Sequence, residues 1–411
     1  MKLPETGQPA DRIAALLDAM KATDANWRAG RVPLYVFGAT QDVAEVGRDA
    51  FMAFFSENAL GARRAFTSLK RMEEEVVAMA LDLFHAPATG AGNMTSGGTE
   101  SIVMAIKACR DFNRATRKNP THRGNIVAPL TAHPAFEKGA NLMDLEVRRT
   151  AIAPDLRADP AAMASAIDAD TIMLVGSTPC FPYGVIDPIP ALSDLAQSRN
   201  IWLHIDACVG GYFAPFARAL GRPIPAFDFE NPGVMSLSAD LHKFGFCPKP
   251  ASTVFYRDAE KHAAQALDLD VWPNGRFTTN TLVGTRPGGG VAAAWAVLNF
   301  LGRAGYMQIA ERMLTMADAY IAGITAIPGM QIYGKPDLSI LAFGTPEKDA
   351  DSIAAGMAAR HWIPGMVRTP PGLHLMMSLL HEPAREPYLR DLAASVAEAK
   401  PATGRLASAV Y

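Results

Sequence analysis

The sequence lacks several features that would assign it to a class at once. Four cysteines occur among 411 residues without a C-x-x-C pair, namely Cys109, Cys180, Cys208 and Cys247, so neither a disulfide framework nor a cysteine metal site is predicted. Excess charge is also missing: 39 Lys and Arg face 41 Asp and Glu, and nothing suggests a nucleic-acid-binding surface. No apolar run reaches the roughly 20 residues that span a bilayer, and no secretory signal is visible at the start. We therefore expect a cytoplasmic protein with a small-molecule substrate, without bound nucleic acid, a transmembrane segment or a metal ion.

Short apolar segments alternate with longer amphipathic ones in the middle of the chain. Strands are predicted where β-branched residues concentrate, at Asn125–Pro129, Thr171–Gly176, Ile201–Asp206, Val234–Ser238 and Ser252–Tyr256. Amphipathic helices are predicted at Ser68–Phe84, Thr99–Arg114 and Pro188–Arg199. This alternation is typical of an α/β fold with a mainly parallel sheet that helices cover on both faces.

The pattern changes after the glycine run Gly288–Gly290. Two helices, Val291–Leu301 and Tyr306–Ile321, precede strands near Ser339–Phe343 and Leu373–Ser378 and a closing helix near Glu386–Glu398. This order predicts a smaller C-terminal α+β domain. Because the length favours two or three domains, we divide the chain into an N-terminal segment (1–60), a large domain (61–290) and a small domain (291–411).

One glycine pair has the setting of an anion-binding loop. Gly97 and Gly98 lie between Ser96 and Thr99, immediately before an amphipathic helix. Glycine lets an anion approach closely, and the free N–H groups and dipole of a helix N-terminus favour negative charge. Thr99 could also cap the helix. The alternative is a loop-to-helix turn that binds nothing.

Two further residues acquire meaning from their order along the chain. Asp206 ends an apolar strand, where ligands bind in open α/β sheets, and a carboxylate there can pair with a protonated pyridine nitrogen. Lys243 follows a later strand, and a lysine amine beside a desolvated cofactor can form an imine. Alone, each residue has an ordinary structural role. A phosphate loop, then an Asp at a strand end, then a His-Lys pair together indicate a pyridoxal 5′-phosphate enzyme.

Five segments of the chain resemble the sphingosine-1-phosphate lyase family. They are Thr95–Ser101, Gly176–Ile189, His204–Tyr212, Ser236–Lys249 and Thr281–Gly289. This family belongs to the fold type I enzymes that depend on pyridoxal phosphate, near the group II amino-acid decarboxylases, and the resemblance runs from about Tyr35 to Leu380. It implies a fold type I transferase-like architecture and a homodimer to which the N-terminal segment contributes active-site residues.

The resemblance also implies roles for individual residues. Lys243 would hold the cofactor as a Schiff base, Asp206 would pair with its ring nitrogen, and His133 would stack on the ring. The cofactor phosphate would be bound by Ser96, Gly97, Gly98, Thr99 and His242, with Thr285 reaching the neighbouring subunit's cofactor. Lys249 would bind a substrate phosphate, and Tyr35 and Tyr183 would line the reaction side.

The chain departs from the family pattern at one informative position. The family carries an Asn-Pro-Leu-His element whose histidine is associated with the substrate phosphate, whereas this chain reads Asn58-Ala59-Leu60-Gly61. Glycine removes one charge-assisted contact to a phosphate.

We expect a lyase that cleaves a phosphorylated β-hydroxy amine by retro-aldol chemistry into an aldehyde and phosphoethanolamine, with a tyrosine or His204 as the base. The alternatives are a group II amino-acid decarboxylase, an aminotransferase and a catalytically inactive scaffold. An aminotransferase is disfavoured because nothing in the sequence suggests a dedicated arginine for the α-carboxylate of its substrate. The presence of Lys243 and Asp206 argues against a scaffold.

Overall fold

The computed structural model describes residues 2–402, and the elements are numbered within that range. The helices are α1 (Ala10–Lys21), α2 (Gln41–Ala53), α3 (Thr67–Leu83), α4 (Gly98–Thr116), α5 (Ala135–Leu142), α6 (Pro160–Ala166), α7 (Ile189–Arg199), α8 (Ala214–Ala219), α9 (Ala259–Ala263), α10 (Gly288–Thr325), α11 (Ala350–Ala359) and α12 (Arg385–Glu398). The strands are β1 (Ala91–Thr95), β2 (Asn125–Pro129), β3 (Glu146–Thr150), β4 (Thr171–Ser177), β5 (Trp202–Asp206), β6 (Val234–Ala239), β7 (Ser252–Tyr256), β8 (Leu267–Leu269), β9 (Phe277–Thr279), β10 (Gln331–Ile332), β11 (Ile340–Gly344), β12 (Gly365–Val367) and β13 (Gly372–Met376).

A seven-stranded sheet forms the centre of the molecule, in the order β1-β7-β6-β5-β4-β2-β3. Strands β3, β2, β4, β5 and β6 run parallel, and β7 is antiparallel to both β6 and β1. The α/β fold with a mainly parallel sheet is therefore confirmed. In such a sheet the carboxyl ends of the parallel strands lie along one edge, where ligands bind.

All five predicted strands are present, and the structure adds two edge strands. The predicted strands are largely or fully buried because helices cover both faces. Strand β3 is half-exposed and reads Glu-Val-Arg-Arg-Thr, so it lacks the apolar run that identifies a buried strand. Strand β1 contains Gly92 and Asn93, which are residues that strands ordinarily disfavour.

The long helix α10 links the large sheet to the C-terminal part of the chain. The two helices predicted at Val291–Leu301 and Tyr306–Ile321 lie within it, separated by the non-helical Gly302 at φ 52°. A second sheet, ordered β10-β11-β13-β12, is wholly antiparallel and packs with α11 and α12 around its own apolar cluster. The smaller α+β unit is thus confirmed.

The N-terminal segment runs beside this second unit. Backbone N–H groups of Ile363, Met376 and Leu379 donate to the carbonyl groups of Arg31, Pro33 and Gly38. These bonds hold the stretch around Tyr35 where the two units meet. Within residues 2–402, the helices are too short or too polar to cross a membrane.

Candidate active site

A cavity of about 410 Å³ opens at the carboxyl edge of the parallel strands. It brings together the predicted residues from distant parts of the chain: Ser96, Gly97, Gly98, Thr99, His133, Asp206, His242, Lys243 and Lys249. The remaining lining includes Ser177 and Asp240, which the sequence argument did not single out. Assembling so many predicted residues around one cavity supports a common role for them.

The glycine pair forms the N-terminus of α4 at one wall of this cavity. The helix begins at Gly98 with Gly97 as its N-cap, and no side chain caps it. Thr99 therefore lies inside the first turn, and its suggested role as a cap is wrong. A Cβ on Gly98 would lie 2.8 Å from both Oδ2 of Asp240 and Sγ of Cys208, so any larger residue would push the loop outward. A Cβ on Gly97 would have its nearest neighbour, in the His242 ring, at 3.9 Å.

Glu100 organises this loop from behind. Its buried carboxylate accepts hydrogen bonds from the backbone N–H of Ser96 at 2.7 Å and from its hydroxyl at 2.5 Å. The other oxygen accepts the N–H groups of Leu282 at 2.8 Å and Val283 at 3.4 Å. Both donors of Ser96 are therefore engaged, which leaves Gly98 and Thr99, at the start of the helix, as the better backbone donors for an anion. Glu100 also ties the loop to the segment that precedes Thr285.

Asp206 lies on the cavity wall at the end of β5, and His133 lies there in the loop between β2 and α5. The backbone N–H of Cys208 donates to Oδ1 of Asp206 at 3.1 Å, which fixes the carboxylate. The N–H of Ala135 donates to Nδ1 of His133 at 3.1 Å, so a neutral His133 ring carries its proton on Nε2. Burial lowers the pKa of His133, although Asp206 partly opposes it. A neutral, oriented ring at this position suits stacking on a planar group.

Lys243 enters the cavity paired with a carboxylate. Its Nζ lies 2.9 Å from Oδ2 of Asp240, which is almost fully buried. Burial alone would lower the pKa of Lys243, but Asp240, with smaller contributions from Cys208 and Asp206, raises it above its usual value. The nearby carboxylate therefore favours the protonated form of this amine.

His242 faces the same space from the neighbouring position. Its Nδ1 donates to the carbonyl of Ala251 at 2.7 Å, and its Nε2 lies 3.7 Å from Oδ2 of Asp240. Burial lowers the pKa of this ring. The fixed Nδ1–H leaves Nε2 as the atom that can face an anion once it is protonated.

A second cavity of about 640 Å³ lies beside the first and shares His133 and Phe181 with it. Its walls are largely apolar and include Leu34, Leu130, Pro182, Ile363, Pro364 and Met366. Tyr35 lines this second cavity with half its surface exposed and a left-handed backbone at φ 60°. Lys249 lines the first cavity and donates to the carbonyl of Tyr35 at 3.1 Å. Burial, reinforced by Lys243, lowers the pKa of Lys249.

Two residues with suggested catalytic roles lie away from the cofactor cavity. His204 is fully buried, and its Nδ1 and Nε2 contact the hydroxyl groups of Ser236 at 2.8 Å and Ser238 at 3.3 Å. It lies two residues inside β5, too deep in the sheet to act as the base, so that suggestion is wrong. Tyr183 is buried in a cluster with Tyr333, and its hydroxyl donates to the carbonyl of Thr369.

Thr285 and Gly61 lie outside the lining of this chain's cofactor cavity. The side-chain amide of Asn58 donates to Oγ1 of Thr285 at 3.3 Å, which joins the segment before α10 to the turn that contains Gly61. Residues on either side of Gly61 line a separate cleft of about 480 Å³ with Arg286. Within the described chain, these two positions therefore face a different surface from Lys243.

Sequence reasoning missed three polar residues of the cavity. Asp240 stands three residues before Lys243, a spacing at which side chains can meet in a turn, and this signal was available. Ser177 ends β4 opposite Asp206 in the parallel register, the same strand-end signal that identified Asp206. Glu100 was visible only as an acidic residue in the first helical turn, and its contact with Leu282 depends on the tertiary fold.

Comparisons with known proteins found similar chains over most of this sequence. A pyridoxal-dependent decarboxylase conserved domain matches residues 64–345. A sphingosine-1-phosphate lyase of Oryza sativa is 38% identical over 405 residues, covering 96% of this chain and 74% of the relative. The structure of a sphingosine-1-phosphate lyase of Burkholderia pseudomallei superimposes with a TM-score of 0.93 at 36% identity, covering 97% of this chain and 93% of that one. A probable L-aspartate decarboxylase of Pyrococcus furiosus is 32% identical, covering 88% of this chain and 94% of the relative.

Proposed function

The chain belongs to the sphingosine-1-phosphate lyase family of pyridoxal-phosphate-dependent lyases, and we propose that its substrate is a phosphorylated β-hydroxy amine with an apolar chain. Cleavage of the Cα–Cβ bond would give an aldehyde and phosphoethanolamine. The observation that carries this proposal is the junction of a cation-containing cofactor cavity with a larger apolar cavity.

The residues of the first cavity fit pyridoxal phosphate. The open side of Gly97 and the start of α4 suit its phosphate, Asp206 suits its ring nitrogen, and Lys243 supplies the amine for its aldehyde. The hydroxyl of Ser177 lines the cavity and is buried without a hydrogen-bond partner in the described chain. A buried hydroxyl left without a partner is costly, and a polar ligand would satisfy it.

Bound pyridoxal phosphate supplies an electron sink for the bonds at the Cα of an amine substrate. The protein then has to orient the Cα–Cβ bond, remove the proton of the β-hydroxyl as that bond breaks, and return a proton to Cα. With His204 buried and the Tyr183 hydroxyl bonded to Thr369, we assign the β-hydroxyl proton to Tyr35. Lys249, beside the Tyr35 backbone, would bind the substrate phosphate.

The second cavity favours a substrate with an apolar chain. Leu34, Leu130, Ile363 and Met366 present hydrocarbon surface next to His133. Burial of apolar surface contributes about 25 cal/mol per Å², so a long chain would add affinity there. A small amino acid would leave most of this cavity filled with water.

The alternative remains an amino-acid decarboxylase, and the relative from Pyrococcus furiosus specifically favours it because the two chains match over nearly their whole length. A decarboxylase needs a cation for the substrate carboxylate, and Lys249 could serve. Among the described residues that line the first cavity there is no arginine.

We also propose a cytoplasmic homodimer in which Thr285 approaches the partner's cofactor. Exposed apolar side chains occur in the sequence that precedes Thr285, with Val271 84% exposed and Leu282 60% exposed. Helix α1 buries none of its residues against the rest of the chain. A second copy of the chain that covered these groups would remove their apolar surface from water.

A substrate panel tests the proposal. We expect turnover of phosphorylated amino alcohols with kcat/KM rising with chain length, and little turnover of free amino acids. A preference for a free amino acid over every phosphorylated amine would favour the decarboxylase instead.

A further inference from the structure

A buried carboxylate lies between the cofactor loop and the active-site lysine. Asp240 directly follows β6 and is 2% exposed. Its Oδ1 accepts the hydroxyl of Ser252 at 2.5 Å, and its Oδ2 lies 2.9 Å from Nζ of Lys243. A buried charge without a partner is strongly destabilising, so the ionised form of Asp240 depends on Lys243.

Gly98 faces Asp240 with no room for a side chain between them. A methyl group on Gly98 would lie 2.8 Å from Oδ2 and 3.0 Å from Oδ1 of Asp240. The loop that would hold the cofactor phosphate therefore rests on the same carboxylate that pairs with Lys243.

The surrounding charges keep the pair ionised. The titratable groups that face Asp240 and Lys243 are His133, Asp206, Cys208, Tyr212, His242 and Lys249. Burial would raise the pKa of Asp240, but Lys243, His242 and the hydroxyl of Ser252 together lower it. Asp240 in turn raises the pKa of Lys243, so each member of the pair favours the charged form of the other.

We propose that Asp240 is a positioning residue that holds Lys243 as an ammonium ion whenever that amine is not joined to the cofactor. The proposal rests on the proposed role of Lys243 in binding pyridoxal phosphate. Replacement of Lys243 by a substrate ammonium ion on the cofactor carbon would form one C=N bond and break another. The three hydrogens that the substrate nitrogen loses would pass to Nζ of Lys243, which would leave as an ammonium ion. Paired with Asp240, this nitrogen has no free lone pair, so it does not compete with the substrate for the cofactor carbon.

The pH dependence of amine labelling tests this directly in the full-length protein after removal of its cofactor. An acylating reagent reacts with the neutral amine alone, and mass spectrometry reads Lys243 and the exposed Lys138 in the same sample. We expect the Lys243 midpoint to lie above that of Lys138. In Asp240→Asn it should fall by at least about one pH unit, which means roughly tenfold faster labelling at neutral pH.

Two controls separate this role from a general structural one. Asp240→Glu keeps the charge and should keep a high midpoint, whereas Asp228→Asn neutralises another buried carboxylate, bonded to His85, and should leave the Lys243 midpoint unchanged. Faster capture of pyridoxal phosphate by Asp240→Asn at pH 7, followed by visible absorbance, should accompany faster labelling.

Equal Lys243 midpoints in the wild-type protein and Asp240→Asn would overturn the proposal. A wild-type Lys243 midpoint below that of Lys138 would also overturn it, and this second test does not depend on the folding of any variant. Borohydride reduction of the cofactor-loaded protein tests the role of Lys243 separately from that of Asp240. Attachment to a peptide without Lys243 would refute the proposed role of that lysine, whereas attachment to Lys243 with equal midpoints would refute only the role of Asp240.

Discussion

The backbone N–H of Cys208 donates to Oδ1 of Asp206 at 3.1 Å, so the carboxylate that faces the cofactor cavity is held by the turn that follows its own strand. An oriented carboxylate can pair with a protonated ring nitrogen without first losing side-chain freedom. The other oxygen is left for that pairing.

Asp206→Asn should therefore separate cofactor binding from turnover. The glycine loop and Lys243 would still bind pyridoxal phosphate, but a neutral amide would not keep the ring nitrogen protonated. We expect retained visible absorbance with kcat reduced by at least about a hundredfold. Near-normal turnover in this variant would show that Asp206 does not pair with the ring.

The proposed dimer predicts a particle of about 88 kDa, twice the 43.9 kDa chain, in light scattering at assay concentration. Thr285→Val should weaken cofactor affinity without changing this mass, because the lost hydroxyl would contact the cofactor bound by the partner subunit. Thr278→Val, on the nearby strand β9, serves as the matched control and should bind cofactor normally. A fully active monomer would contradict the shared site.

Gly61 faces away from Lys243 within one chain, so in the proposed dimer it would meet the partner's site, where a glycine predicts weak binding of the substrate phosphate. A charged hydrogen bond contributes about 1.5–3 kcal/mol, so Gly61→His should lower KM for a phosphorylated amine roughly tenfold to hundredfold, with the cofactor spectrum unchanged. A Cβ here lies 3.2 Å from the ring of Phe66, so Gly61→Ala is the control for crowding alone. If Gly61→His binds no more tightly than Gly61→Ala, or excludes the substrate, the glycine makes room for a different head group.

The buried His204 predicts a loss of stability in mild acid. Burial lowers its pKa to about 4, below the usual value of about 6.5, so the unfolded chain binds this proton more readily. Stability is fully present above pH 6.5 and is lost as the pH falls toward 4, by about 2 kcal/mol between pH 7 and pH 5.

Urea unfolding at these two pH values measures the effect. His204→Gln should reduce the difference between them, whereas His361→Asn, at an exposed position, should leave it unchanged. The same pH dependence in His204→Gln as in the wild-type protein would show that other groups are responsible.

The fold was predictable from the sequence where the composition or periodicity of a segment reflects its burial. Buried parallel strands such as β4 are apolar throughout, and the break at Gly302 lies between two separately periodic helical stretches. Strands β1 and β3 escaped prediction because they lie at the sheet edges, where neither continuous burial nor strict alternation is imposed.

Site residues were predictable where the residue type and its position along the chain indicate a role. They were less predictable where the role depends on contacts that only the tertiary fold creates. Lys243 and Asp206 were predicted from their order and strand-end position, and both line the cavity. Asp240 resembles an ordinary turn residue until the fold places it against Gly98 and Lys243. His204 is on the same strand face as Asp206, but it lies two residues further from the end of β5, so its ring is buried and does not reach the cavity.

The most direct measurement is product analysis of the purified protein with a phosphorylated sphingoid base, with Lys243→Ala as the control. The proposed function predicts equal amounts of long-chain aldehyde and phosphoethanolamine from the wild-type protein and neither from Lys243→Ala. Release of carbon dioxide from a free amino acid, with no cleavage of any phosphorylated substrate, would contradict it.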